Sequence, residues 1–137
     1  MIALDTSVVV AFMNRRDDDH ERVAAWMETV EEELLTTPLI VAEIDHLVSR
    51  GGGQSAALAF YEDLASGAYA VEWWAEATTE TVAAAKKYAG VGLADASLVA
   101  LAARLRTTRI ATLDERHFRT LRPLTGEAAF ALLPADT

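Results

Sequence analysis

The 137-residue chain has no cysteine, only three prolines and three histidines, and only twelve basic side chains against twenty-one acidic ones. Each scarcity excludes something. Without cysteine there are no disulfides and no thiolate metal sites, which fits a cytoplasmic protein. No run of about 18 apolar residues occurs, so no membrane-spanning helix and no membrane partner are expected. The start, Met1-Ile2-Ala3-Leu4-Asp5, lacks the basic residues of a secretory signal, and Asp5 interrupts the apolar run ahead of Val8-Val9-Val10. A formal net charge of −9 argues against coating nucleic acid by bulk electrostatics, though a local basic strip remains compatible with an enzyme.

What the chain has in quantity is apolar surface to bury. At 52% hydrophobic content it can fill one core, and its length suits a single domain over residues 1–137. Ile2 to Leu4 reads as a buried strand and Ser7 to Met13 as a short helix. Asp18 with Glu21 resembles an acidic capping box, followed by Val23, Trp26, Met27, Val30 and Leu34 at helical spacing, with Glu31 to Glu33 at the solvated end of that helix. Leu35 to Thr37 is a candidate strand. Pro38 suits the first turn of a helix running to about Arg50, and Gly51-Gly52-Gly53 reads as a flexible link. A helix over Gln54 to Ser66 would turn Leu58, Tyr61, Leu64 and Ala65 inward. Ala70 to Trp74 is a candidate strand, in which Trp73 and Trp74 point to opposite faces, one buried and one at a subunit contact or the surface. Thr79 to Ala89 and Leu93 to Leu105 are candidate helices parted at Gly90-Val91-Gly92. Arg109 to Leu113 reads as a strand, Glu115 to Leu121 as a helical turn or two, and Ala129 to Leu133 as a last strand. Alternating strands and helices predict an α/β fold, a three-layer α/β/α arrangement around a parallel sheet.

In such sheets ligands bind beyond the carboxyl ends of the strands. Asp5 and Asp114 stand at two such ends. Glu43 falls between Leu39, Ile40 and Leu47 on an apolar helical stripe, whereas Asp45 points away; Asp95 lines up with Leu98, Val99 and Ala102. Carboxylates on core-facing stripes are costly without a partner, and arginines are scarce before residue 104. Each acid has a structural alternative: a helix cap for Asp5 or Asp95, a turn for Asp114, a hidden ion pair for Glu43. Together they suggest a shared divalent cation, and oxygen ligands without cysteine suit Mg²⁺ or Mn²⁺.

Four segments carry a resemblance: Leu4-Asp5-Thr6-Ser7, Thr37-Pro38 through Ala42-Glu43, Gly92-Leu93-Ala94-Asp95-Ala96, and Ala111-Thr112-Leu113-Asp114-Glu115-Arg116-His117-Phe118. In this order the chain resembles the PIN-domain family, and within it the VapC-type toxins of bacterial toxin–antitoxin pairs. The resemblance implies a five-stranded parallel sheet between helices and a single PIN domain. It implies that Asp5, Glu43, Asp95 and Asp114 form the metal site of an Mg²⁺-dependent endoribonuclease, supported by the hydroxyls of Thr6 and Thr112. Hydrolysis by water, without the RNA 2′-hydroxyl as nucleophile, would leave 5′-phosphate and 3′-hydroxyl ends. The expected partners are RNA, a small VapB-type antitoxin and a second copy of the chain, docked through helices near residues 26–65. The alternative is a catalytically weak PIN-domain module that binds RNA or protein.

For the RNA path, six arginines between Arg104 and Arg122 face only Asp114 and Glu115, a local excess of four positive charges. Arg116 and Arg119, with Arg15 and Arg16 after the first helix, are the candidate phosphate contacts. His20 and His117 are expected at the surface, and His46 as a satisfied structural side chain; none is needed as a base.

Overall fold

A computed structural model describes residues 1–137. Its elements are β1 (Ile2–Leu4), α1 (Thr6–Met13), α2 (His20–Thr29), β2 (Leu34–Thr36), α3 (Pro38–Ser66), β3 (Ala70–Val71), α4 (Ala77–Lys87), α5 (Leu93–Leu105), β4 (Arg109–Ala111), α6 (Glu115–Phe118) and β5 (Ala131–Leu133). The five strands form one sheet in the order β3-β2-β1-β4-β5, and every pairing is parallel. The chain moves outward from β1 to β3, then returns to the other side of β1. The reversal puts a crevice beyond the carboxyl ends of β1 and β4, the topological switch point where such sheets bind ligands. Register fixes what meets there. Leu4 pairs with Ala111, and Asp5 N–H continues the ladder to the Ala111 carbonyl at 2.9 Å. Asp5 and Thr112 therefore leave the sheet side by side.

The sheet is a buried apolar layer. Ile2, Ala3, Leu4, Ile110, Ala111, Leu132 and Leu133 are all at most 1% exposed, as parallel strands covered on both faces require. No helix is long and apolar enough to cross a membrane.

Several expectations need correction. The helix beginning near Asp18 ends at Thr29, so Leu34 belongs to β2 and Glu31 to Glu33 lie in the connection. The apolar spacing of Val30 and Leu34 matched a helix by coincidence of a strand following a short loop. The cap residue is Asp19, which makes no side-chain cap bond; Asp17 Oδ1 instead accepts the Asp19 N–H at 2.8 Å. The break expected at the three glycines is present, but at Gly53 alone (φ 70°), which kinks α3 into two helical halves while Gly51 and Gly52 stay helical. Beyond the kink the inner face is Ala57, Phe60 and Leu64, whereas Leu58, Tyr61 and Ala65 are exposed. The kink rotates the face, which periodicity read from a straight helix misses. Thr37 ends no strand: it caps α3, its hydroxyl accepting the Ile40 N–H at 3.3 Å, with Pro38 in the first turn. β3 stops at Val71, short of the tryptophans; Trp74 is nonetheless buried and Trp73 exposed.

Candidate active site

Asp5, Glu43, Asp95 and Asp114 all line one cleft of about 470 Å³ at the switch point, with Thr6, Ser7, Val10, Asp17, Leu47 and Leu113 as its other walls. β1 delivers Asp5, α3 delivers Glu43, the first turn of α5 delivers Asp95, and the turn after β4 delivers Asp114. The helices are tied where the acids need them: Thr37 at the start of α3 and Ser97 in α5, both fully buried, share a hydroxyl–hydroxyl bond of 2.7 Å. Ser97 also donates to the Ala94 carbonyl at 2.6 Å.

Asp5 is the buried anchor, 5% exposed. Its Oδ2 accepts from Thr112 Oγ1 at 2.7 Å and from Ser7 Oγ at 3.0 Å. Those hydroxyls are themselves fixed by amides, Asp114 N–H donating to Thr112 Oγ1 at 3.0 Å and Leu113 N–H to Ser7 Oγ at 2.9 Å. Burial pushes the Asp5 pKa up, opposed by the Thr112 and Ser7 hydroxyls. Thr112 thus bonds directly to the acid. Thr6 does not: its Oγ1 is buried without a hydrogen-bond partner, and the adjacent Ser7 performs the bonding expected of it. Strand-to-helix geometry decides this, because Asp5 is followed at once by helix and the second residue turns back over β4.

Asp5 occupies the cap position of α1 but makes no cap bond, and Asp95 lies inside the first turn of α5, whose cap is Gly92. Capping therefore explains neither. Asp114 does cap α6, accepting the His117 N–H at 3.2 Å, while also lining the cleft. Glu43 differs from expectation. The buried stripe of α3 is Ile40, Ile44 and Val48, and Glu43 is exposed beside it, looking into the cleft with Leu47. Asp45 faces elsewhere, accepting from Tyr61 Oη at 2.8 Å across the kink.

Asp95 Oδ2 lies 2.9 Å from His117 Nδ1, and Asp114 Oδ2 lies 3.7 Å from the same nitrogen. Asp95, Asp114 and His117 offer ligand atoms all within 4.8 Å of one another; Asp5 and Glu43 stand outside that tight trio. Burial, then the charges of Asp5, Glu43 and Asp114, push Asp95 up to about 6 against the pull of His117. His117 was expected at the surface. Its place at i+3 from Asp114 was the available signal, since a short helix capped by Asp114 turns that side chain back toward the cap. His46 is exposed rather than satisfied, and His20 is half-buried, its Nδ1 2.9 Å from the Ala11 carbonyl.

No lysine or arginine pairs with any of the four acids. A buried carboxylate held only by hydroxyls, beside three others, calls for an outside cation, and an oxygen-rich donor set fits a hard divalent ion. The donors present therefore fit the group that the resemblance implies.

The expected basic strip is not continuous. α5 runs away from the cleft, so Arg104 is about 14 Å along the axis from Asp95. Arg104 lies over the Trp74 ring at 5.7 Å, and Arg104 and Arg106 border a separate cleft of about 510 Å³ with Glu80 and Lys87. Arg109 starts β4 at the far end of the sheet and pairs with Glu32 at 2.8 Å. Arg119 is held by Asp136 at 2.7 and 2.9 Å and by Glu115 at 3.2 Å. Arg15, Arg16 and Arg116 are exposed and make no ion pair. Arg15 and Arg16 lie between Asn14 and Asp17, the latter on the cleft wall.

Residues 2–122 match the model of the PIN domain. The chain is 38% identical to ribonuclease VapC26 of Mycobacterium tuberculosis, over 96% of this chain and 98% of that one. Among solved structures it is similar to M. tuberculosis VapC20, described as a sarcin–ricin-loop-cleaving toxin, with a TM-score of 0.74 at 20% identity, covering 80% of this chain and 87% of that one. FitAcB from Neisseria gonorrhoeae matches with a TM-score of 0.58 at 24% identity, covering 84% of this chain and 88% of that one. The last two likenesses concern the fold.

Proposed function

The chain belongs to the PIN-domain family, and from that membership we propose that it is a metal-dependent endoribonuclease acting as the toxin of a toxin–antitoxin pair. The observation that carries the reading is the single cleft at the switch point into which Asp5, Glu43, Asp95 and Asp114 all open with no lysine or arginine opposite them. We take residues 1–137 as one PIN domain, since β5, beyond the matched segment, extends the same sheet.

In this reading the four carboxylates hold Mg²⁺, with Mn²⁺ as a substitute. When bound, a divalent cation supplies Lewis acidity, acidifying water and offsetting charge on the phosphate. The chain's own part is positional. Ser7 and Thr112 fix the Asp5 carboxylate, and the Thr37–Ser97 bond keeps α3 and α5 in step. Exposed Arg15, Arg16 and Arg116 attract the RNA backbone; Arg119 is spent on Asp136 and Glu115. RNA is the substrate, cut to 5′-phosphate and 3′-hydroxyl ends in the cytoplasm. A VapB-type antitoxin is the partner, silencing the toxin by placing a basic or metal-displacing side chain among the acids. A second copy docks on the outer face of α3, where Leu58 and Tyr61 are 52% and 46% exposed; sedimentation as a pure monomer at micromolar concentration would refute the dimer.

The deciding assay incubates RNA and DNA oligonucleotides with wild type and Asp5→Asn, in EDTA and in Mg²⁺. RNA cleavage only by wild type with Mg²⁺ is expected. RNA retention without cleavage under every condition would instead favour a binding module.

A further inference from the structure

Gly51, Gly52 and Gly53 sit together within α3, where glycine weakens a helix relative to alanine. Two have a steric reason. Gly53 adopts φ 70°, and a Cβ on Gly52 would stand 2.5 Å from the Ala56 Cβ. Gly51 has neither: it is helical, and a Cβ there would meet nothing within 4 Å. Gly51 does, however, line a pocket of about 110 Å³ between α1 and α3. Val10, Met13, Leu47 and Val48 line it, with the backbone of Gly51 and Gly52 forming a wall free of side chains.

This pocket borders the acidic cleft, since Val10 and Leu47 line both. Its polar residue is Asn14, whose Oδ1 accepts the Arg16 N–H at 3.1 Å while its Nδ2 donates to no group of the chain. Arg15 and Arg16, exposed and unpaired, follow directly. The combination is a small, mostly apolar pocket of about 110 Å³, one free pair of amide donors, adjacent cations, and an acidic cleft next door. That is the chemistry of one nucleotide: a base for the slot, acceptor atoms on its edge for Asn14, phosphates for the arginines.

We propose that this pocket receives one unpaired nucleobase of the RNA, flanking the phosphate held at the acids. The inference rests on the nuclease reading above. It assigns Gly51 and Asn14 to substrate recognition: Gly51 by leaving space for the ring against the helix backbone, Asn14 by donating to its edge. An antitoxin side chain in the same slot is the rival occupant.

The test is titration of the isotope-labelled wild-type protein in Mg²⁺, followed by amide NMR, with AMP, GMP, CMP and UMP, and with ribose 5-phosphate as the probe lacking a base. The phosphate should move the amides of Asp95 and Asp114 with all five probes. Only the nucleotides should move Asn14, Gly51 and Gly52, and at least one should bind about tenfold tighter than ribose 5-phosphate, the gain expected from burying apolar faces of the base in the pocket. Gly51→Met, a favourable helix residue pointing into open space, should remove that gain while keeping the phosphate response and the fold. Asn14→Ala should reduce it and flatten the preference among bases. A response at residues 95 and 114 with none at 14, 51 and 52 would overturn the base pocket alone, leaving the nuclease reading standing and the slot to another occupant. Silence at both ends would overturn both.

Discussion

Asp95→Asn should make the metal-free protein more stable while abolishing its activity. The Asp95 carboxyl is pushed up to about 6 from 3.8, first by burial and then by the charges of Asp5, Glu43 and Asp114. A shift of that size corresponds to about 3 kcal/mol of penalty on the ionised form at neutral pH. With a quarter of the side chain exposed, solvent screening reduces this to about half, roughly 1.5 kcal/mol. Because the folded pKa lies above the unfolded one, the stabilising contribution is complete below pH 3.8 and is lost as pH rises through about 6. Wild type in EDTA should therefore gain stability as pH falls from 7 toward 5, where about half the penalty is relieved. Asp95→Asn, which keeps an acceptor for His117, should lack that share of the slope. Asp5, His117, Glu43 and Asp114 all interact with the Asp95 carboxyl, so the difference between the two proteins reads Asp95 together with its coupling to them. Thermal unfolding in EDTA should place the variant about 4 °C above wild type at pH 7, with the gap narrowing at pH 5. Mg²⁺ should close most of that gap. If its dissociation constant is about 1 mM, about 10 mM stabilises wild type by roughly 1.4 kcal/mol, and the variant by much less. A wild type more stable than the variant in EDTA at every pH, with no Mg²⁺ shift, would refute the shared metal site.

Other outcomes follow from the same geometry. Asp5→Asn, Glu43→Gln and Asp114→Asn should each lower RNA cleavage by about a hundredfold or more, whereas Asp45→Asn, held by Tyr61 away from the cleft, should leave it within about twofold; equal losses at Glu43 and Asp45 would contradict the placement. Ser7→Ala should weaken Mn²⁺ binding, read by calorimetry, by about tenfold through misorientation of Asp5, and Thr6→Val should not. Arg116→Ala should lower the slope of log affinity against log salt for single-stranded RNA by about 0.7, while Arg119→Ala, already paired with Asp136, should leave the slope unchanged.

The sheet was legible in the sequence because a parallel strand is a short apolar run that must end where the fold turns. Asp5 announced the end of Ile2 to Leu4, whereas the strand expected to run from Arg109 to Leu113 stops at Ala111 and leaves Asp114 in the turn beyond it. The kink at Gly53 was not legible in the same way. Three glycines signal a break, but only tertiary packing decides which one bends, and that choice moved the buried face from Leu58 and Tyr61 to Ala57 and Phe60. His117 escaped because the only signal for it was its i+3 spacing from Asp114, in a helix of four residues too short to show a periodic face.

Glu43 shows how a correct placement can rest on an incomplete reason. Its neighbours Leu39, Ile40 and Leu47 made it look like a carboxylate facing the core, which requires a partner on grounds of desolvation. In the fold the core takes Ile40, Ile44 and Val48, and the strip carrying Glu43 and Leu47 opens onto the cleft. An apolar stripe on a helix can therefore mark the wall of a site as well as the interior, and the two differ by less than one residue's rotation about the helix axis. Composition does not distinguish them. What does is a second element bringing acids of its own to the same face. Here β1, α5 and the turn after β4 supply Asp5, Asp95 and Asp114, so the charge on Glu43 is costly for the metal-free fold and useful once a cation arrives.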